Sequence, residues 1–193
     1  MFEEPILAYE TPRLRLRTFR PEDLAPLCAM NADPRVMEFL GGPRTPEASV
    51  AMAERVDARF RAEGTGMIAV ERREDGAFLG IAGLNRLDWY PDDIEVGWRL
   101  GPAHWGRGYA TEAGRAWIAH AFRRLGASRV ISVADVPNAR SRAVMGRLGT
   151  RLDHAVTLSE GADVFEAAIH ALTRAEWEAA PLTPAAPWSA APS

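Results

Sequence analysis

Hydrophobic and polar residues alternate along several short segments, which is the pattern of strands with one buried face. Residues 13–19 alternate leucines with arginines, and this predicts a strand whose face bearing Arg13, Arg15 and Arg17 is solvated. Residues 67–73, 78–87 and 94–100 are further strand-like segments, and residues 88–93 between the last two are expected to form a loop. Short strands separated by turn residues predict antiparallel pairing.

Helical spacing of apolar residues predicts four helices, over residues 21–33, 46–62, 110–125 and 138–148. Prolines or asparagine open three of them, and glycine follows three of them, as is typical of helix ends. Residues 129–134 read as a buried strand, and residues 150–158 as another. Residues 164–172 fit a strand or a helix. The pattern predicts an α/β architecture with a mixed, mostly antiparallel sheet and helices on both faces.

The chain of 193 residues has a length that suits one domain. We expect residues 1–180 to form that domain. The remaining residues, 181–193, are rich in proline, alanine and serine, a composition that favours disorder. The prediction is therefore one domain followed by a disordered tail.

Composition excludes several classes of function. The formal net charge of −3 gives no indication of nucleic-acid binding. Cys28 is the only cysteine, so an internal disulfide and a zinc site of cysteine pairs are both excluded, and the histidines lack the spacing of metal ligands. No segment has the length of a signal peptide core or a membrane span, so we expect a cytoplasmic protein without membrane, nucleic-acid or metal partners.

The segment HWGRGYATEA, residues 104–113, has the features of an anion site. Gly106 and Gly108 permit a sharp turn and close approach to the backbone, and the helix that follows has unpaired N–H groups at its start. Arg107 adds positive charge. A Walker loop requires Gly-Lys-Ser/Thr, which is absent, and the dinucleotide fingerprint requires glycine or alanine where Thr111 stands. A strand-to-helix turn without ligand remains the alternative.

The same segment resembles motif A of the GNAT N-acetyltransferase superfamily, whose Gln/Arg-x-x-Gly-x-Gly/Ala loop holds the pyrophosphate of acetyl-coenzyme A. Trp105 replaces the usual first residue, and this form is familiar in the branch of ribosomal-protein N-terminal acetyltransferases. The segments TPRLRLRTFRPEDL, DPRVMEFLGG, IEVGWRL and NARSRAVMGRLG are similar to that branch in order and spacing. The resemblance extends over residues 11–177.

The resemblance implies the GNAT fold, with a central sheet splayed between strands 94–100 and 129–134, and acetyl-coenzyme A as co-substrate without a metal. It implies cofactor contacts from the backbone of the first strand, from the glycine loop and from the later helix. The residues concerned are Trp98, Arg99, Leu100, Trp105, Gly106, Arg107, Gly108, Tyr109, Ala110, Thr111, Asn138 and Ser141. Gly97 is expected to ease a bulge that opens the gap between the strands.

Acetyl transfer to an amine requires removal of a proton from the ammonium, and a carboxylate can accept it. Glu95 matches the glutamate that several relatives use as base; the alternative is a surface glutamate on an alternating strand. Many relatives protonate the thiolate with a tyrosine where this chain has Met145. Ser141 is the expected substitute, because its hydroxyl can bond a thiolate, unless it is only a helix-surface serine. Asn138 could cap its helix, contact the cofactor, or do both.

Trp89 and Tyr90 precede the strand of Glu95 and are expected either to wall the acceptor pocket or to pack beneath their loop. The resemblance implies an N-acetyltransferase acting on a protein N-terminus or a small-molecule amine, as a monomer or homodimer. The alternative function is a non-catalytic acyl-coenzyme A sensor or interaction domain, because a fold does not determine a function.

Overall fold

A sheet lies at the centre of the computed structural model, which describes residues 2–160 and 163–179. The strands in these residues are β1 (Leu7–Glu10), β2 (Leu14–Arg17), β3 (Gly66–Arg72), β4 (Phe78–Leu87), β5 (Tyr90–Leu100), β6 (Arg129–Asp135), β7 (Arg151–Glu160) and β8 (Asp163–Thr173). They lie in the order β1-β2-β3-β4-β5-β6-β8-β7. The expected tail, residues 181–193, lies outside the described residues.

The neighbouring strands pair antiparallel except β5 and β6, which are parallel. The register of that parallel pair is Ile94 with Val130 and Glu95 with Ile131. Both strands continue for several residues beyond these positions, but no further residues of β5 and β6 pair with each other. The sheet therefore splays after Glu95, which confirms the predicted mixed sheet with a gap at its middle strands.

Helices connect several of the strands, and the helix Pro46–Glu63 has capping groups at both of its ends. They are α1 (Leu24–Ala32), α2 (Pro34–Met37), α3 (Pro46–Glu63), α4 (Tyr109–Arg123), α5 (Ala139–Arg147) and α6 (Arg174–Ala179). The Thr45 side chain accepts a hydrogen bond from the Ala48 N–H at the start of α3, and Gly64 ends that helix in the left-handed conformation. A single 3₁₀ turn, Pro21–Asp23, precedes α1.

Helices cover both faces of the sheet, as predicted. Ile68 and Ala82 pack in one cluster with Trp117 of α4. Their neighbours in sequence, Ala69 and Ile81, pack in another with residues of α1 and α3. Adjacent residues of a strand point to opposite faces, so the two clusters lie on opposite sides of the sheet.

The prediction that the arginine face of β2 is solvated is wrong for Arg17. Its side chain is only 3% exposed and forms ion pairs with Asp23, at 2.6 Å, and Glu71, at 2.7 Å. The 3₁₀ turn brings Asp23 over the strand, and the adjacent strand supplies Glu71. Because both carboxylates are buried with it, the guanidinium is neutralised and fully bonded, and the alternation that indicated solvent instead marks a buried ion cluster.

The limits of other elements also differ from the prediction. Residues 90–93 belong to β5 rather than to a loop, because Tyr90 pairs with Leu87 across a tight turn. The ambiguous segment 164–172 lies in β8 and pairs with both β6 and β7. Strand β1 and the short helices α2 and α6 are additional elements. No helix within residues 2–160 and 163–179 combines the length and apolar character needed to cross a membrane.

Buried histidines make the stability of this fold sensitive to acid. His120 of α4 is hydrogen-bonded to the Tyr9 hydroxyl, and burial, with the charge of Arg124, lowers the pKa of His120 from 6.5 to about 4. Burial also lowers the pKa of His104 and of His170. The unfolded chain therefore takes up protons that the folded chain does not, and the free energy of unfolding falls as pH drops from 6.5 towards 4.

Replacing His120 with asparagine is expected to flatten this pH dependence, because it removes the histidine with the largest lowering of pKa. Urea unfolding of both proteins at a series of pH values measures the slope. A control is Ser128→Ala, which changes an exposed side chain without a titratable group and should keep the wild-type slope. An unchanged slope in His120→Asn would contradict the assignment of the acid sensitivity to His120.

Candidate functional site

The glycine loop turns sharply into α4 and opens on a large cavity. Gly106 and Gly108 have φ values of 71° and 80°, a region that glycine adopts without steric cost. Gly108 is the N-cap of α4. The first N–H groups of a helix have no intrahelical partner, and its dipole favours negative charge there. The loop therefore presents unpaired donors to the cavity beside it.

Glu112, in the first turn of α4, holds this loop against the start of β2. Its carboxylate accepts hydrogen bonds from the Thr11 hydroxyl at 2.6 Å, the Arg13 N–H at 2.9 Å and Arg13 Nε at 2.6 Å. Arg13 also donates to the Arg107 carbonyl at 3.0 Å and lies over the Tyr109 ring. Sequence reasoning missed this brace, although an acidic residue in a first helical turn was a visible signal.

Trp105 braces the loop from the other side. Its indole Nε1 donates a hydrogen bond to the Leu100 carbonyl at 2.7 Å, and the Arg140 guanidinium lies 4.3 Å from its ring centroid. Arg107, by contrast, is exposed. The cavity is lined here by Trp105, Gly106, Gly108, Tyr109, Ala110 and Thr111. Six of the seven predicted loop residues thus line the cavity, and Arg107 does not.

The gap between β5 and β6 exposes backbone groups of β5. The Gly101 N–H donates to the Leu79 carbonyl at 2.9 Å, so Gly101 faces β4. Backbone groups of successive strand residues alternate in direction. Those of Arg99 therefore also face β4, and those of Trp98 and Leu100 face the gap. The Trp105 indole donates a hydrogen bond to the Leu100 carbonyl. Within the described residues, the backbone groups that stay unpaired at the gap therefore include the N–H and carbonyl of Trp98 and the N–H of Leu100.

Gly97 does not form the expected bulge. It pairs in regular register with Gly83, and the irregularity between β4 and β5 lies at Asn85 and Leu87 instead. A Cβ at position 97 would lie 3.2 Å from the Met67 sulfur, a tight contact that the Met67 side chain would have to relieve by a small shift. The splay of the sheet thus comes from the divergence of β6 rather than from a distortion of β5.

Glu95 lies where the gap begins and is held by a hydrogen-bonded chain. Asn85 of β4 donates to the Glu95 carboxylate at 3.0 Å. The Asn85 carbonyl oxygen in turn accepts from Arg59 of α3 at 2.7 Å. Glu95 lines the cavity and is half-buried. The chain fixes the orientation of the carboxylate, and Asn85 and Arg59 were not found from the sequence because they are distant in it.

Asn138 and Ser141 lie at the start of α5, on the other side of the gap. The Asn138 side chain accepts a hydrogen bond from the Ser141 N–H at 3.1 Å, so Asn138 caps its helix. Both residues line the cavity, and within the described residues the Ser141 hydroxyl makes no hydrogen bond. Met145 is fully buried. The structure therefore brings a hydroxyl to the cavity from Ser141 and none from position 145.

The side chains of Trp89 and Tyr90 lie in different surroundings. Trp89 lines the cavity and packs edge-on against Phe165, with ring centroids 6.4 Å apart. Tyr90 lies outside the cavity lining, and its hydroxyl is hydrogen-bonded to His154 Nε2 at 2.8 Å. Trp89 belongs to the turn that precedes β5, whereas Tyr90 is the first residue of that strand. Only Trp89 remains in a position to wall an acceptor pocket.

The loop, the gap, Glu95 and Ser141 all border one cavity of about 1540 Å³. Pockets for small ligands usually measure about 300–1000 Å³, so this cavity has room for an extended ligand together with a second molecule. The described part of the chain contains no group of three histidine, cysteine or acidic side chains that could hold a metal ion.

Comparison with known proteins identifies the family. An acetyltransferase (GNAT) domain matches residues 13–151, and the chain belongs to the GNAT acetyltransferase family. It is 28% identical over 143 residues to the uncharacterized N-acetyltransferase p20 of Bacillus licheniformis, an alignment that covers 72% of this chain and 79% of that protein.

Solved structures share the fold. The crystal structure of the acetyltransferase from Agrobacterium tumefaciens str. C58 is 28% identical, with a TM-score of 0.73 over 90% of this chain and 97% of that one. RimL, a ribosomal L7/L12 alpha-N-protein acetyltransferase, is 17% identical with a TM-score of 0.71 over 86% of this chain and 94% of that one. The likeness to RimL concerns the fold. The predicted resemblance to the GNAT superfamily is confirmed.

Proposed function

We propose that this protein transfers an acetyl group from acetyl-coenzyme A directly to a primary amine. One observation carries the proposal: a single cavity joins a helix N-terminus suited to a diphosphate, a gap in the sheet with unpaired backbone groups, and a positioned carboxylate. Family membership supports the reaction class, and the arrangement supports the roles of individual residues.

The residues present fit acetyl-coenzyme A. The N–H groups at the start of α4 and of the loop around Gly106 and Gly108 would bind the diphosphate. The open backbone groups of Trp98 and Leu100 would pair with the amides of the pantetheine arm. When bound, acetyl-coenzyme A supplies an activated acetyl group as a thioester. Asn138 and Ser141 border the same passage from the side of α5.

Glu95 would prepare the acceptor for reaction. An amine is protonated near neutral pH, since reference pKa values are about 7.7–8.0 for an α-amine and about 10.4 for lysine. The Glu95 carboxylate, held by Asn85, would take that proton directly or through water, and the neutral nitrogen could then form its bond to the acetyl carbon. The carboxylate and the gap face one cavity, so proton removal and attack can occur together.

Two groups would stabilise the charge that develops when the carbon–sulfur bond breaks. The Trp98 N–H faces the gap and could donate to the acetyl oxygen as it becomes negative. The Ser141 hydroxyl could donate a hydrogen bond to the departing thiolate, and its lack of any other hydrogen bond within the described residues leaves it available. The nitrogen would lose two protons in all. Glu95 would take the first, and the second, lost as the amide forms, would pass to the departing thiolate, so that coenzyme A leaves as the free thiol.

The acceptor would be a protein N-terminus or a small-molecule amine. The activity of RimL, an alpha-N-protein acetyltransferase for ribosomal L7/L12, supports the first option by analogy. The test is release of free thiol from acetyl-coenzyme A with a panel of peptides and small amines, run beside a direct measurement of cofactor binding. Turnover with some amine is expected. Binding without turnover across the whole panel would favour a non-catalytic sensor of acyl-coenzyme A.

A further inference from the structure

Three arginines line the cavity without an ion pair in the described residues. Arg147 of α5 donates to the Thr111 hydroxyl at the start of α4, whereas Arg99 and Arg44 lie together on the other side. Arg99 of β5 donates one hydrogen bond, to the Asn31 side chain at 2.8 Å, and its buried Nε has no partner. The Arg44 N–H donates to the carbonyl of the same asparagine at 2.9 Å. Neither guanidinium forms an ion pair within residues 2–160 and 163–179. Both line the cavity, so two unneutralised cations lie side by side at its wall.

Other arginines of this protein have the acidic partners that Arg99 and Arg44 lack. The Arg17 side chain is almost fully buried, and the carboxylates of Asp23 and Glu71 neutralise its charge. At the cavity, Arg35 pairs with Asp33 and Arg140 pairs with Glu38. Burial and the neighbouring charge of Arg44 lower the pKa of Arg99 to about 10, so Arg99 is still cationic at neutral pH. Arg99 is half-buried, and a charge partly removed from water without an ionic partner carries a cost that an anion bound from the cavity would reduce.

The direction of the Arg99 side chain assigns it to the acceptor rather than to the cofactor. Val96 and Leu100 pack with α4, so Glu95 and Arg99 point to the opposite face, the side of α1. The hydrogen bond from Arg99 to Asn31 of α1 agrees with this direction. The diphosphate loop lies at the start of α4, on the other face. Arg99 thus shares its face with Glu95.

The spacing along β5 limits where the anion can lie on an acceptor. Four residues of strand separate Glu95 from Arg99, which places their Cα atoms about 13 Å apart. The carboxylate of a free amino acid, adjacent to its amine, is too close to the amine for this separation. An extended peptide covers about 3.3–3.6 Å per residue. Two to three residues beyond a peptide amino terminus cover about 7–11 Å, and the reach of an acidic side chain at that position would span the rest of the distance.

We propose that Arg99 and Arg44 form an anion subsite, so that the preferred acceptor is a peptide amino terminus with an acidic side chain at its third or fourth residue. The inference rests on the proposed function, because it takes Glu95 to mark the position of the reacting amine. The same pair of cations disfavours polyamines, whose second charge would be repelled.

The test compares matched peptides that carry aspartate or asparagine at residue 3 or 4 and are otherwise identical. Wild-type protein should acetylate the aspartate peptide with a kcat/KM about tenfold to a hundredfold higher, the range for a hydrogen bond between charged groups. Arg99→Gln should reduce this ratio to about one and leave the KM for acetyl-coenzyme A unchanged. Arg99→Lys should retain part of the preference for the aspartate peptide. The control Arg55→Gln, a change on the exposed side of α3, should retain all of it.

Either of two results would overturn the subsite. One is an equal kcat/KM for the two peptides with wild-type protein. The other is an Arg99→Gln variant that keeps the preference for the aspartate peptide and instead raises the KM for acetyl-coenzyme A. Arg44→Gln provides the same test should Arg99→Gln fail to fold. If no amine is acetylated at all, the proposed function fails, and calorimetric titration with the N-acetylated forms of the two peptides then decides the subsite alone. Tighter binding of the aspartate form supports it, and equal binding overturns it.

Discussion

Replacing Gly108 with glutamate is expected to weaken acetyl-coenzyme A binding by about a hundredfold or more. Gly108 has a φ of 80°, which disfavours any residue with a Cβ. The new carboxylate would also lie where the diphosphate is expected, and two negative charges at short range repel each other strongly when partly shielded from water. Isothermal titration with acetyl-coenzyme A measures the effect.

Gly126→Glu is a matched control for this change. Gly126 has a φ of 69°, and a Cβ added there would lie in open space, with no neighbouring heavy atom within 4 Å. It follows the opposite end of α4, so the substitution introduces the same strain and the same charge away from the loop. The affinity of this variant for acetyl-coenzyme A should equal that of the wild type. Equal affinity of Gly108→Glu and wild-type protein would contradict the assignment of the loop to the diphosphate.

Replacing Glu95 with glutamine is expected to lower kcat by about 10²–10⁴-fold near neutral pH, the usual contribution of a general base. Glutamine keeps the size of the side chain and can still accept the hydrogen bond from Asn85, but it cannot take up the proton. The deficit should shrink as pH rises towards the pKa of the acceptor amine, because the amine is then already neutral. Acetyl-coenzyme A affinity should be unchanged.

Steady-state rates across a pH series, with the amine that gives the highest turnover, measure this effect. Glu74→Gln is the control, because Glu74 is exposed in the turn between β3 and β4. It should retain the wild-type rate and pH profile. A Glu95→Gln variant with the wild-type rate and profile would show that another group, or bulk water, removes the proton.

Much of the fold could be predicted because the packing of this sheet follows local periodicity. Alternation in β3, β4 and β5 and helical spacing in α3 and α4 correspond to the two apolar clusters. The gap beside Glu95 was predicted from family resemblance rather than from periodicity. Strand β1 was missed because four residues with mixed polarity give too weak a pattern.

The candidate site was predictable where one segment contains the whole feature, as in the glycine loop. It was not predictable where residues distant in the chain meet. Arg59 reaches Glu95 through Asn85, and Arg13 reaches Arg107 across 94 positions of sequence. Such contacts depend on which elements pack together. The burial of Arg17 and of Arg99 also depends on tertiary packing, since an alternating strand is compatible with either solvent or a buried ion on its polar face.

Acetyl-coenzyme A carrying an isotopically labelled acetyl group tests the central claim most directly. The protein is incubated with the labelled cofactor and the panel of peptides and amines, and the masses of acceptors and protein are then measured. Direct transfer predicts labelled acetyl on the nitrogen of an acceptor, equimolar free thiol, and an unlabelled protein. Direct transfer would be contradicted if no acceptor in the panel gained the label although the cofactor bound, or if the label accumulated on the protein as a required intermediate.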